Sequence, residues 1–255
     1  MKLVVLASPG QSTDILVNTL WDGVSQDIWI LLEPPQSKWA LLRGRAKRLG
    51  WGAVLGQLLF MGCVLPVLRR RAAARLAGIH QQLGLRADPL PAERVTQVVS
   101  VNAAETRAHL QRLAPDAVVL SGTRIVKADT LQAAQAPMLN IHAGITPAFR
   151  GVHGGYWALW TGQSQDFGAT LHMVDTGVDT GAVLTHVRPE PTPQDSFVTY
   201  PLLQLGAALP ALVDVLKALR DGAPLPDPVP VEGAGQQWYH PTIWEYLSGL
   251  WRGVR

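Results

Sequence analysis

The chain predicts an α/β fold, a mostly parallel sheet flanked by helices, and three features carry that prediction. Short apolar runs at residues 2–7, 27–32, 117–120 and 138–142 have the length and composition of strands buried on both faces. Longer stretches with helical character lie between them, an alternation typical of parallel sheets. Glycine and proline punctuate the joins, as at Ser8-Pro9-Gly10 and again at Pro147 and Gly151.

In order along the chain, residues 2–7 read as the first strand and Ser8 to Thr13 as a turn. A helix follows over about 14–21, with Ser12 or Thr13 as its N-cap. Residues 27–32 form a second strand and residues 94–101 contain a third. Asn102 caps a helix that ends at Ala114. Residues 117–120 and 138–142 are the fourth and fifth strands, and 143–152 is a loop over the sheet edge. Residues 168–174 and 182–187 alternate as strands do. An apolar helix over 201–219, with Pro210 inside it, closes a domain of residues 1–220. Residues 221–255 are a tail or a small substrate-side extension, rich in proline and glycine at its start, where 222–236 reads as a linker or an edge-wrapping tail.

At 255 residues and 47% apolar composition there is ample material for one core. A single cysteine, Cys63, excludes an internal disulfide framework, and no Cys/His spacing matches structural zinc. The apolar start lacks the pattern of a signal peptide, so a reducing, cytoplasmic setting is expected. The net charge of +3 conceals an asymmetry. Between Pro34 and Ala87 stand ten basic residues and no acidic ones: Lys38, Arg43, Arg45, Lys47, Arg48, Arg69, Arg70, Arg71, Arg75 and Arg86. The rest of the chain is net acidic, which argues against general nucleic-acid affinity.

Inside that basic segment, residues 51–68 carry no charge. Their length touches the threshold for a membrane span, yet glycines, Gln57 and Pro66 interrupt them. A buried or interface helix, a membrane-surface helix and a span all stay open here. The segment 38–75 could therefore contact a membrane surface, or its apolar face could build a homodimer.

Asn140-Ile141-His142 and the loop Asp175-Thr176-Gly177-Val178-Asp179-Thr180-Gly181 carry the chemistry. An amide, an imidazole and a carboxylate are the groups that acyl transfer between nitrogens needs. They polarise a carbonyl, stabilise its developing charge and carry a proton from the attacking amine. Taken singly, each is equally a turn or strand-end residue. Acidic residues at only two loop positions fall short of calcium's six to eight oxygens, and no metal is expected.

The stretches 140–153 and 168–181 together closely resemble the formyltransferase family. That family uses 10-formyltetrahydrofolate and includes the glycinamide ribonucleotide, methionyl-tRNA and sugar-nucleotide N-formyltransferases. The similarity is densest over roughly residues 116–187. It implies a Rossmann-like formyltransferase fold and one-carbon transfer with 10-formyltetrahydrofolate as co-substrate. By this resemblance Asn140 holds the formyl oxygen, His142, kept cationic by Asp179, stabilises the oxyanion, and Asp179 relays the amine proton. Gly122, Arg124, Ile125 and Val126 would grip the pterin, with Asp175, Thr176 and Val178 as the opposite wall. His153 would touch substrate, whereas His172 reads as a structural strand residue.

The loop His142-Ala143-Gly144-Ile145-Thr146-Pro147 departs from the family pattern, so acceptor contacts are expected to differ. Too little sequence follows Leu219 for the β-barrel of the tRNA enzyme, so tRNA is not the expected acceptor. The expected acceptor is the primary amine of a small molecule, with a nucleotide-linked amino sugar in front. Hydrolysis of the formyl-folate is the alternative within enzymes. A membrane-associated binding protein with a vestigial site is the alternative outside them.

Overall fold

The computed structural model describes residues 1–233 and 235–255, with the side chains of Lys38 and Ala40 outside that description. The chain runs through β1 (Leu3–Ala7), α1 (Gln11–Gly23), β2 (Ile28–Leu32), α2 (Lys38–Leu49), α3 (Trp51–Leu59) and α4 (Leu65–Gln82). Then come β3 (Val95–Gln97), α5 (Ala104–Leu113), β4 (Ala117–Ser121), α6 (Ala128–Ala134), β5 (Met138–His142), β6 (Phe149–Gly151) and α7 (Gly154–Trp160). The last elements are β7 (Ala169–Met173), β8 (Val183–Val187), α8 (Tyr200–Arg220), β9 (Gln236–Trp238) and α9 (Ile243–Trp251).

A seven-stranded sheet has the order β3-β2-β1-β4-β5-β7-β8. The first five strands are mutually parallel, and β7 and β8 are added antiparallel. All five residues of β1 are fully buried. Helices cover both faces of this strand, which is why it is apolar throughout instead of alternating. Burying each such aliphatic side chain contributes about 1.5–3 kcal/mol relative to exposure. One core lies between the sheet and α1 and α8, through Ile15, Leu16, Leu20, Leu209, Leu212 and Leu216. Leu110, Val126 and Ala134 build a second layer on the other face. The chain reverses direction about β1 and β4, so the carboxyl ends of β1, β4 and β5 open onto one crevice, the usual ligand position in such sheets.

α3 and α4 form one helical rod, Trp51–Gln82, joined by a wider π-turn at Phe60–Val64. Pro66 explains the turn, since it donates no backbone hydrogen and its ring crowds the carbonyl four residues earlier. This rod and Tyr200–Arg220 are both long and apolar enough to cross a membrane. The second is a core helix of the fold. The rod is held by its inner side, where Phe60 lies 5.0 Å from both Phe197 and Tyr246. Arg75 grips the fully buried Asp195 with two bonds of 2.8 and 2.9 Å. Burial opposes ionisation of Asp195, but Arg75, Thr192 and Thr199 keep its carboxyl below the usual range.

Three sequence expectations change. The 143–152 loop contains β6, which pairs in parallel with β9 of the tail. α9, started by a capping box between Thr242 and Glu245, buries Tyr246 among the aromatics of the body. Helix α1 begins after Gly10 without a side-chain cap, because the Thr13 hydroxyl donates instead to the Ser8 carbonyl. Asn102 does not cap α5 either; its carboxamide ties the backbone at Ile125 and Lys127.

Candidate active site

Residues two apart on a strand share a face, so Asn140 and His142 at the carboxyl end of β5 point the same way. Antiparallel pairing sets His172 of β7 directly opposite Asn140. The loop after β7 returns Asp179 to this point in the left-handed backbone region, with φ +49°. Its Oδ2 accepts the Gly151 N–H at 2.9 Å and lies 3.3 Å from His142 Nδ1. Its Oδ1 is 3.7 Å from His172 Nε2. Asn140, His142 and Asp179 thus converge on one wall of a cleft of about 620 Å³. Two glycines make room. A Cβ on Gly144 would strike the Phe149 carbonyl and His142 Nε2, and one on Gly151 (φ +96°) would strike the Trp238 carbonyl.

Hydrogen-bond partners set the tautomers. His142 Nε2 is 2.7 Å from the Phe149 carbonyl oxygen, which can only accept, so Nε2 carries the hydrogen. Nδ1 then presents a lone pair to Asp179. Burial pushes the His142 pKa below its ordinary value, against the pull of the Asp179 carboxylate and the Phe149 carbonyl. Desolvation of this enclosed ring works against the expected resting imidazolium, while its charged neighbour favours it. Asp179 moves down as well. Burial resists, but His172, the charge that His142 carries when protonated, and the Gly151 N–H lower it. His142 Nδ1 and Asp179 Oδ2 thus face each other as two basic atoms that can share one proton.

His172 is placed in the site and not merely in the strand. Its Nδ1 donates to the Met173 carbonyl at 2.7 Å, leaving Nε2 to accept from Asn140 Nδ2 at 3.2 Å. That bond aims the Asn140 amide and leaves its second N–H for a ligand.

Of the proposed pterin-gripping groups, Gly122, Arg124, Ile125 and Val126 line one wall of the cleft, and Asp175 and Val178 the other. Thr176 does not line it. The Asp175 carboxylate is used within its own loop, accepting from Gly177 N and Thr180 Oγ1. The Arg124 guanidinium points away to the Pro34 carbonyl, 3.1 Å off, while its backbone N–H goes to Glu33. Glu33 is buried at the end of β2. It accepts the Arg124 N–H at 2.8 Å and the Val101 N–H at 2.9 Å, clamping the 122–126 wall. An acid directly after the apolar run of β2 was its only sequence mark.

At the other end of the cleft His153 and His240 meet at 2.8 Å, and His153 stacks on Phe197 with centroids 4.3 Å apart. Burial, each other's neighbourhood and the nearby charge of Arg45 lower His153 to about 3; burial and Arg45 lower His240 to about 4. Gln57 of α3 donates to the His240 carbonyl at 2.7 Å, joining the rod to this end of the cleft.

Residues 71–203 match the family model described as formyl transferase. The methionyl-tRNA formyltransferase of Acidobacterium capsulatum is 35% identical over 128 residues, which are 49% of this chain and 40% of that one. The chain spans about half the length of the curated relatives it matches. Among solved structures, a 4-N formyltransferase from Francisella tularensis superposes with a TM-score of 0.56 at 10% identity, covering 92% of this chain and 76% of that one. The phosphoribosylglycinamide formyltransferase of Anaplasma phagocytophilum gives 0.54 at 16%, covering 86% and 87%. These structures share the Rossmann-like fold. The matched residues include both β5 and the Asp179 loop, and on that evidence the chain belongs to the formyl transferase family.

Proposed function

We propose that this cleft transfers a formyl group from 10-formyltetrahydrofolate to the primary amine of a small acceptor. The observation that carries the reading is the His142–Asp179 pair, two proton acceptors 3.3 Å apart beside the donor amide of Asn140. The opposed walls, residues 122–126 on one side and Val174, Asp175, Gly177 and Val178 on the other, support a folate as the donor. Leu120, Val126, Ile141 and Val174 offer apolar surface to a flat ring, and the backbone of 122–126 offers donors and acceptors to its edge. The folate supplies an acyl carbon on a nitrogen able to leave.

The residues act in sequence. The free N–H of Asn140 holds the formyl oxygen and stabilises the charge that develops there. As the new C–N bond forms, the amine sheds a proton into the space between His142 Nδ1 and Asp179 Oδ2. Both ring nitrogens of His142 have protein partners, so its contribution to the oxygen is the charge it gains at that moment. The proton then passes to the departing folate nitrogen as the old C–N bond breaks. Alignment of both reactants supplies much of the remaining acceleration.

A nucleotide-linked amino sugar leads the candidate acceptors. Arg45 supports an anionic acceptor, because it sits close enough to His153 and His240 to depress both rings. Sugar N-formyltransferases also share the fold over nearly the whole chain. The lone thiol of Cys63 suits the cytoplasm, where such a folate would be met. Incubation with 10-formyltetrahydrofolate and a panel of amines, read by mass spectrometry for the gain of one CO, tests the proposal. Formate release without any amine would mark a hydrolase instead. No folate turnover with any acceptor would reject the reading.

A further inference from the structure

Two helices turn apolar side chains outward on the same side of the molecule. Along the Trp51–Gln82 rod, Trp51, Leu55, Leu58, Met61 and Val67 are exposed, Trp51 by 69%. Along α9 the exposed row is Trp244, Leu247, Leu250 and Trp251, the last by 93%. The rows are contiguous. Gly56 packs against Thr242 and Trp244, and Cys63, Val67, Leu247 and Leu250 line one groove of about 820 Å³ between α4 and α9. Scattered exposed hydrophobics need no explanation, but a continuous field with three tryptophans marks a contact surface.

Charge around this field selects the partner. Arg43, Lys47 and Arg48 stand exposed before it and Arg69, Arg70 and Arg71 within it. No acidic residue occurs from Pro34 to Ala87, and the α9 carboxylate, Glu245, is tied to the Thr242 cap. A second copy docking here about a twofold axis would set a basic face against a basic face. An anionic bilayer neutralises the same charges and takes tryptophans at its headgroup level.

We propose that the outer face of the Trp51–Gln82 rod and α9 docks on an anionic membrane surface. The rod lies on the bilayer and does not cross it. Its inner side is locked into the fold by Val54, Phe60 and Ile79, and Gln57 is bonded to the His240 carbonyl. That same bond ties the His153–His240 end of the cleft to the inner side of the rod. Docking itself is independent of the chemistry proposed for the cleft.

The test is flotation of the full chain with vesicles of phosphatidylcholine, alone and with phosphatidylglycerol added. Binding only to the anionic vesicles, weakened by salt and accompanied by a blue shift of tryptophan emission, is the expected result. The exposed triple variant Arg48→Glu, Arg69→Glu, Arg70→Glu should bind roughly 100-fold more weakly. Trp51→Ser with Trp251→Ser should lose at least about tenfold. Far-UV circular dichroism confirms that each variant is folded. No binding to anionic vesicles overturns the proposal. So does equal binding by the folded charge variant, or a dimer in sedimentation that the tryptophan variant dissociates while vesicles bind neither protein. These readouts need no catalysis, so an inactive protein that floats leaves docking intact while the cleft reading fails.

Discussion

Asp179 faces His142 across 3.3 Å, from a backbone conformation that few residues other than glycine, asparagine and aspartate adopt readily. This dictates the informative substitution. Asp179→Asn keeps the shape, tolerates the left-handed φ and removes only the charge and basicity. It should lower kcat by about 10²–10⁴, as should His142→Ala, if the pair receives the amine proton. Steady-state rates with far-UV circular dichroism as a folding control check this. A folded variant retaining full kcat would remove Asp179 from the proton path.

Asn140 donates to His172, and that bond aims the Asn140 amide. Asn140→Ala should cost about 10²–10³ in kcat, the range for loss of one donor to a developing oxyanion. His172→Leu leaves that donor present but unaimed, so its loss should be smaller and should fall on kcat more than on KM. Were the two variants equal, His172 would be reacting directly and not orienting.

Glu33→Ala strands two buried N–H groups, those of Val101 and Arg124. Each unpaired donor costs about 1–3 kcal/mol, so urea denaturation should register a clear loss. Because Arg124 belongs to the proposed folate wall, KM for the formyl donor should rise with little change in kcat. An unchanged KM would separate Glu33 from folate binding.

The His153–His240 contact makes stability depend on pH. In the fold His153 is lowered to about 3 and His240 to about 4, while the unfolded chain takes up protons below about 6.5. Unfolding therefore binds protons as pH falls from about 6.5 towards 4, and stability drops across that window. At pH 5 the loss is about 2 kcal/mol for each ring at most. His142 moves in the same direction. Urea denaturation at pH 7 and pH 5 measures the slope, and His240→Gln, which cannot titrate, should flatten it.

Much of the sheet was legible because strand formation at Leu3–Ala7, Ala117–Ser121 and Met138–His142 rests on local apolar composition. Helix α9 was not, since proline and glycine precede it and its reason to exist is Tyr246, which finds its aromatic partners in the body. Thr13 looked like a cap and is not one, because a tertiary acceptor at Ser8 and a neighbour at Ser121 compete for its hydroxyl.

By itself the sequence determined the α/β class, the strand carrying Asn140 and His142 on one face, and the loop carrying Asp179. Those are short-range properties of composition and spacing. Only the tertiary structure decided that His172 aims Asn140, that Glu33 clamps the opposite wall, that His142 is enclosed beside Asp179, and that His240 of the tail lines the cleft. Each depends on a partner distant in the chain and on the exclusion of water around it, and neither is written in any local run of residues.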